Sequence, residues 1–292
     1  IERMNTLLTG LSKDPRASLK GGLYHAEEAI LNLDLVQSLK KPAGFFDPSN
    51  PLNERLSNED KEDEEEKPLA ERSRNSRSPM LSFSNTDMAF SDNVMVAGSY
   101  HGFNIYNLDN QGHAKLVSSV ICPGGQGDVS IVGNLLIMSV EQNRGRIDCG
   151  LQGAGTEPNP ERFRGIRIFD ISDLKRPQQV GAVQTCRGSH THSVVSGPDE
   201  NGIIIVYNSG TSSVRDQEEL ESCFEAIPGD NRTALFRIDV IEIPVADPSQ
   251  AKIVKSPTVF ADPETGALAG LWRGGDHGDD TQDTSRTDEC HD

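Results

Sequence analysis

The chain has 292 residues and a mass of 31.8 kDa, enough for roughly two ordinary domains or one large all-β domain. Aromatic residues make up 5%, mean hydropathy is −0.50, and no apolar run approaches the ~20 residues that span a bilayer, so the sequence is not that of a membrane-integral protein. With 28 Lys+Arg against 45 Asp+Glu, the net charge of −17 repels phosphate backbones, and nucleic acid is not an expected partner.

The charge is uneven. Glu54–Arg72 holds 9 acidic and 4 basic residues and Asp262–Asp292 holds 9 and 2, so these two segments carry 12 of the 17 net negative charges. Both read as solvated loops, because an acidic block repels itself and buries little apolar surface. Asp276-His-Gly-Asp-Asp-Thr-Gln-Asp is acidic and Gly-rich but lacks the alternating spacing of a calcium loop. The chain opens on Ile1 in place of Met, and Ile1–Phe46 shows no basic segment followed by an apolar core, which reads as processing or as part of a longer chain.

Residues 1–80 read as an irregular, partly helical N-terminal extension with an acidic linker. The spacing of Leu23, Ala26, Ala29, Ile30, Leu33 and Val36 predicts a helix over Gly22–Leu39. From Met80 the texture turns to short β-rich runs. Asp87-Met-Ala-Phe-Ser-Asp-Asn-Val-Met-Val-Ala aligns with Asp128-Val-Ser-Ile-Val-Gly-Asn-Leu-Leu-Ile-Met, and less tightly with His192-Ser-Val-Val and Ile203-Ile-Ile-Val-Tyr across a polar turn. Each set predicts a hairpin. A third strand follows at Gly102–Leu108, Gly165–Ile171 and Phe236–Ile243, and a fourth at Lys115–Val120, Gln179–Val183 and Ala251–Val254. Four strands per repeat mark a β-propeller blade.

Gly165-Ile-Arg-Ile-Phe-Asp-Ile-Ser-Asp-Leu-Lys-Arg-Pro-Gln-Gln-Val-Gly closely resembles the repeat of the LVIVD-repeat family of exported bacterial β-propeller proteins. The resemblance runs from about Phe83 to Asp292 and extends to Lys13-Asp-Pro-Arg and Lys20-Gly-Gly-Leu; Gly102–Leu108 departs from the pattern, as does Glu242 in place of the usual aspartate. It implies an all-β fold, a propeller of about seven blades when complete, with residues 81–292 forming three blades and the start of a fourth. It also implies an extracytoplasmic location, in the periplasm, at the cell surface or secreted.

In a propeller the first strand of each blade lines the central channel. The aligned starts are Asp87, Asp128, His192 and His291, with Asn85, Gln126, His190 and Glu289 two residues earlier on the same strand face. Two imidazoles on one face at His190 and His192 are what a transition metal needs, whereas carboxylates alone suit calcium. The expected metal residues are Asp87, Asp128, His190, His192 and His291, with His192, His291 and Asp128 on one ion. The competing reading is structural: an Asp at this place accepts backbone N–H bonds, and channel-lining polar groups hold water.

Cys122 and Cys186 each stand six residues before an aligned strand start, and Cys149 and Cys223 lie in the long insertions Glu141–Arg164 and Ser209–Ala234 of the same repeats. Repeat symmetry therefore pairs Cys122 with Cys149 and Cys186 with Cys223. Each bridge contributes on the order of 3 kcal/mol. Cys290 would pair outside the chain, and five free thiols in a cytosolic protein are the alternative. Asn231-Arg-Thr is a bare glycosylation sequon, and Trp272 and Tyr100–His101 read as packing residues.

Two functions survive these observations. One is an extracytoplasmic binding or assembly module that shows long, disulfide-pinned loops on one face to a protein partner or to its own copies, with association to a surface left open. The other is a metal-dependent enzyme, an oxidoreductase for instance, with a divalent ion (transition metal or calcium) in a His/Asp site at the channel mouth. No Gly-x-Ser-x-Gly elbow, phosphate loop or strand-to-helix dinucleotide motif is present, which favours the binding module over an enzyme.

Overall fold

The computed structural model describes residues 14–22, 25–45, 84–155, 158–224, 232–235 and 237–259. The chain divides into two compact units, Ile1–Lys40 and Lys41–Asp292. In the first, a 3-10 turn at Pro15–Ser18 is capped by Asp14, which accepts the Arg16 N–H and pairs with its guanidinium at 2.6 Å. The helix expected over Gly22–Leu39 is absent: its described residues form loop, and Asn32 takes φ +58°. Apolar spacing alone does not hold a helix without a surface to bury its stripe, and Ile30, Leu33 and Val36 are exposed. Among the described residues no helix is long and apolar enough to cross a membrane.

Among the described residues the second unit is all-β, with three four-stranded antiparallel sheets and almost no helix. Sheet 1 contains β1 (Asn85–Ser91), β2 (Val94–Ser99), β3 (Gly102–Leu108) and β4 (Ala114–Ile121). Sheet 2 contains β5 (Val129–Val132), β6 (Leu135–Val140), β7 (Gly165–Asp170) and β8 (Gln178–Gln184). Sheet 3 contains β9 (Thr191–Ser196), β10 (Ile203–Ser209), β11 (Asp239–Pro244) and β12 (Lys252–Lys255). Each is a meander whose strands pair in chain order, as the repeats predicted. The third strand of the last sheet begins later than expected, at Asp239; Phe236 lies outside the described residues.

The turn chemistry explains the hairpins. Asp92-Asn93 joins β1 to β2 and Gly133-Asn134 joins β5 to β6, with Asp92 at φ +49° and Gly133 at φ +58°, the backbone sign that two-residue hairpin turns require. Longer turns are tied by carboxylates: Asp109 accepts the N–H groups of Gln111 and His113, and Asp199 those of Asn201 and Ile203.

The first strands of the sheets stand side by side, β1 against β5 and β5 against β9. Between sheets 1 and 2 lies a core of Val96, Phe103 and Ile105 packed with Leu136, Met138 and Phe169; the Phe103 and Phe169 rings meet edge to face at 5.0 Å. Between sheets 2 and 3 the core is aliphatic, with Leu135, Ile137, Ile166 and Ile168 against Ile204, Val206, Ile241 and Ile243. Sheet 2 is thus apolar on both faces. The chain enters it at very close quarters: a Cβ added to Gly98 would lie 1.8 Å from the Gly127 carbonyl, so this approach tolerates no side chain.

Candidate functional site

Antiparallel meanders place the β2–β3, β6–β7 and β10–β11 connections, together with β4–β5 and β8–β9, at one end of the sheets. In sheet 1 the connection is two residues, Tyr100-His101. In sheets 2 and 3 it is an insertion, residues 141–164 and 210–238. Disulfides join Cys122 to Cys149 and Cys186 to Cys223, the pairing expected from repeat symmetry. Each ties an insertion to the loop that enters its own sheet.

The two insertions are also bound to each other. Glu219 accepts hydrogen bonds from Arg162 Nε at 2.9 Å, from the Asn159 N–H at 2.6 Å and from Arg215 Nε at 3.0 Å. All three charged side chains are at most 1% exposed. Burial works to raise the Glu219 pKa, but the bonds from Arg162, Asn159 and Arg215 outweigh it and hold the carboxyl below its ordinary range. Arg164 Nη1 reaches Ser212 Oγ at 2.7 Å and the Ser213 carbonyl at 2.9 Å, and Arg187 holds the Ser212 carbonyl at 2.8 Å. This arginine lattice had no sequence signature, because its partners lie far apart in the chain and do not repeat.

Beneath the insertions lie the aligned starts of the first strands. Asp87 Oδ2 accepts the Val129 N–H at 3.0 Å, and Asp128 Oδ2 accepts the His192 N–H at 2.9 Å, so each aspartate latches its sheet to the next. Asp128 Oδ2 also lies 2.8 Å from His192 Nδ1 and accepts from Ser139 Oγ at 3.3 Å. Burial pushes the Asp128 pKa up, yet the His192 imidazole and backbone bonds win and keep it below the ordinary carboxylate value.

His190 Nδ1 lies 2.8 Å from Glu141 Oε2, while Glu141 Oε1 accepts from the Thr211 N–H at 2.7 Å and from Thr211 Oγ1 at 2.8 Å. Burial opposes ionisation of Glu141 as well; the His190 and Thr211 bonds overcome it, and its pKa is lowered. The Gln126 amide nitrogen sits 2.7 Å from His190 Nε2 and 2.8 Å from its Nδ1, so two positions aligned by the repeats are in contact. Glu141, Thr211 and Ser139 escaped the sequence reading. The one available signal was Glu141 itself, a charge directly after a strand whose only polar residue is Ser139.

Ser139 Oγ lies 2.9 Å from His192 Nδ1 and 2.7 Å from Ser189 Oγ. This is not a Ser-His-Asp triad. In a triad the serine and the carboxylate use opposite ring nitrogens, whereas here both meet Nδ1. Among the described residues no group of three or more His, Cys, Asp or Glu is arranged to hold a metal ion. Of the expected metal residues, Asp128 and His192 pair with each other, His190 pairs with Glu141, and Asp87 holds the Val129 N–H. His291 lies outside the described residues, as do Glu289, Cys290, Trp272, Asn231 and both acidic segments.

No protein-family model and no curated protein matches this chain. Solved structures similar in part include the computationally designed Ika4 protein, 13% identical over 59% of this chain and 92% of that one, with a TM-score of 0.24. A protein from Lactobacillus plantarum is 10% identical over 61% of this chain and 72% of its own, with a TM-score of 0.21. Saccharomyces cerevisiae Sqt1 is 11% identical over 62% and 63%, with a TM-score of 0.20. Likenesses this slight carry no argument about function.

Proposed function

We propose that the three sheets are blades of an LVIVD-type β-propeller that works outside the cytoplasm as a binding or assembly module, with its two cross-linked insertions as the recognition surface. The observation that carries this reading is the double fastening of the described parts of the two insertions, by two disulfides and by the buried Arg162–Glu219–Arg215 triad. Loops ordered before binding lose less conformational entropy on association. Two disulfides fit an oxidising compartment. Ile147 and Leu151 stand exposed on the first insertion, 49% and 63%, as apolar contact points for a partner.

A photo-crosslinking side chain placed at Leu151 tests the reading, with a control at Lys175 in the turn at the opposite end of sheet 2. The protein is irradiated after export, in the compartment where it is proposed to work. A discrete adduct, with another protein or with a second copy, is expected from position 151 and not from 175. Equal labelling from the two positions, or none from 151, overturns the assignment.

A further inference from the structure

We propose that the Cys186–Cys223 bridge is a thiol–disulfide exchange site for a dithiol reductant, with Arg237 holding the leaving Cys186 thiolate. Arg237 Nη2 donates to Cys186 Sγ at 3.0 Å. Cys186 and Cys223 are each 2% exposed and cluster with Ala234, against Val214 and Leu220. A guanidinium beside a cysteine favours its thiolate, and little water is present here to screen that charge. A disulfide whose reduced form is stabilised in this way is a stronger oxidant. Among the described residues neither sulfur of the Cys122–Cys149 bridge accepts from a charged side chain.

Arg237 is fixed in this position. Its Nε lies 3.1 Å from Asp239 Oδ1, which also accepts from Ser256 Oγ at 2.6 Å, and its backbone pairs with that of Thr258. The guanidinium fork thus gives one N–H to the carboxylate and another to the sulfur, in a planar arrangement that a lysine does not reproduce. Asp239 opens β11, so the contact sits where the second insertion rejoins its sheet.

The exchange balances in two displacements. A donor thiolate bonds to Cys223 Sγ, the Cys186–Cys223 bond breaks, and Cys186 leaves as a thiolate toward Arg237. The donor's second thiol gives up its proton, displaces Cys223 and closes the donor's own disulfide. Two electrons pass from the dithiol to the bridge; Cys223 takes up one proton and the other goes to solvent. The second insertion is then unlinked from the loop that enters its sheet and keeps the Glu219 ion pairs as its tie to the first insertion. This chemistry does not depend on what the insertions bind.

Exposure and charge rank the two bridges in opposite orders, which makes a decisive test. Cys149 is half-buried, so exposure alone favours opening the Cys122–Cys149 bridge first. The whole chain, in a Cys290→Ser background that removes the odd thiol, is equilibrated with dithiothreitol buffers of graded oxidised-to-reduced ratio. Alkylation then traps the free thiols for peptide mapping. Cys186–Cys223 is expected to open at a ratio at least about tenfold more oxidising than Cys122–Cys149, about 30 mV for a two-electron couple. Arg237→Gln removes that margin from Cys186–Cys223 alone, whereas a variant that merely loosened the insertion would make its bridge easier to open. In a Cys223→Ser chain the Cys186 thiol, followed by its 13Cβ shift, titrates below the ordinary value of about 8.5 and returns toward it with Arg237→Gln. Equal midpoints for the two bridges, or a Cys186–Cys223 midpoint that Arg237→Gln leaves in place or makes more oxidising, sinks the proposal.

Discussion

Sheet 1 turns between its second and third strands with two residues, whereas sheets 2 and 3 spend 24 residues (141–164) and 29 residues (210–238) at the same place. The short turn shows that this end of a sheet closes without an insertion. The long ones are therefore not required by the strand pairing they interrupt, and they bring their own fastenings: a disulfide each and a shared buried ion triad. Loop length without a structural need is where function concentrates. The turn of sheet 1 is held differently, by burial of His101 and its edge contact with Phe45 at 5.7 Å.

Three experiments break or sharpen this contrast. The largest effect belongs to Glu219→Ala, which takes the carboxylate from two buried guanidiniums and costs about 3–5 kcal/mol in urea unfolding. A loss under about 1 kcal/mol, the worth of a surface pair, would mean that the insertions hold together without the triad.

Next comes acid titration of the sheet 1 turn. Burial, with a smaller push from Arg144, lowers the His101 pKa from 6.5 to about 4. The folded protein keeps this ring neutral while the unfolded chain protonates it, so His101 removes stability as pH falls from about 6.5 to about 4. The loss is on the order of 3 kcal/mol at about 1.4 kcal/mol per pH unit. Unfolding midpoints of the parent chain and of His101→Gln, measured across that range, are expected to converge as the pH drops. Parallel curves would contradict a ring buried neutral.

The smallest effect compares the two latches. Asp87→Ala removes an acceptor of one backbone N–H, while Asp128→Ala also strips the His192 ring and Ser139 Oγ of theirs. The second variant is expected to be less stable than the first by about 1–2 kcal/mol. Equal losses would show that the imidazole adds nothing to the junction of sheets 2 and 3.

The sheets were legible in the sequence because they repeat: Asp87–Ala97 and Asp128–Met138 align residue for residue, and both place turn-forming residues at the hairpin. The disulfides were legible for the same reason, since Cys122 and Cys186 hold equivalent places. The segment Gly22–Leu39 misled because periodicity reports only which side chains share a face, and says nothing of whether a surface exists to receive them. The partners of His190 and Glu219 were hidden more deeply. Glu141 lies 49 residues from His190, and Glu219 lies 57 from Arg162, inside insertions that share no pattern. A repeat reveals what recurs, and these contacts occur once.

Every residue of β6 is buried, with Leu136, Met138 and Val140 facing one core and Leu135 and Ile137 facing the other. In an ordinary half-exposed strand, sliding by one place would turn its apolar side to water, and that cost fixes the alignment. Here a slide would trade one greasy face for another. Apart from Ser139, whose buried hydroxyl a slide would pull from Ser189 and His192, the alignment information therefore sits at the strand's two ends: the Gly133-Asn134 turn, whose Asn134 carbonyl takes the Ile171 N–H at 2.8 Å, and Gly124, whose carbonyl takes the Glu141 N–H at 3.1 Å just beyond the strand. The middle of this protein is adhesive without being addressed, and its end stops tell each residue where to stand.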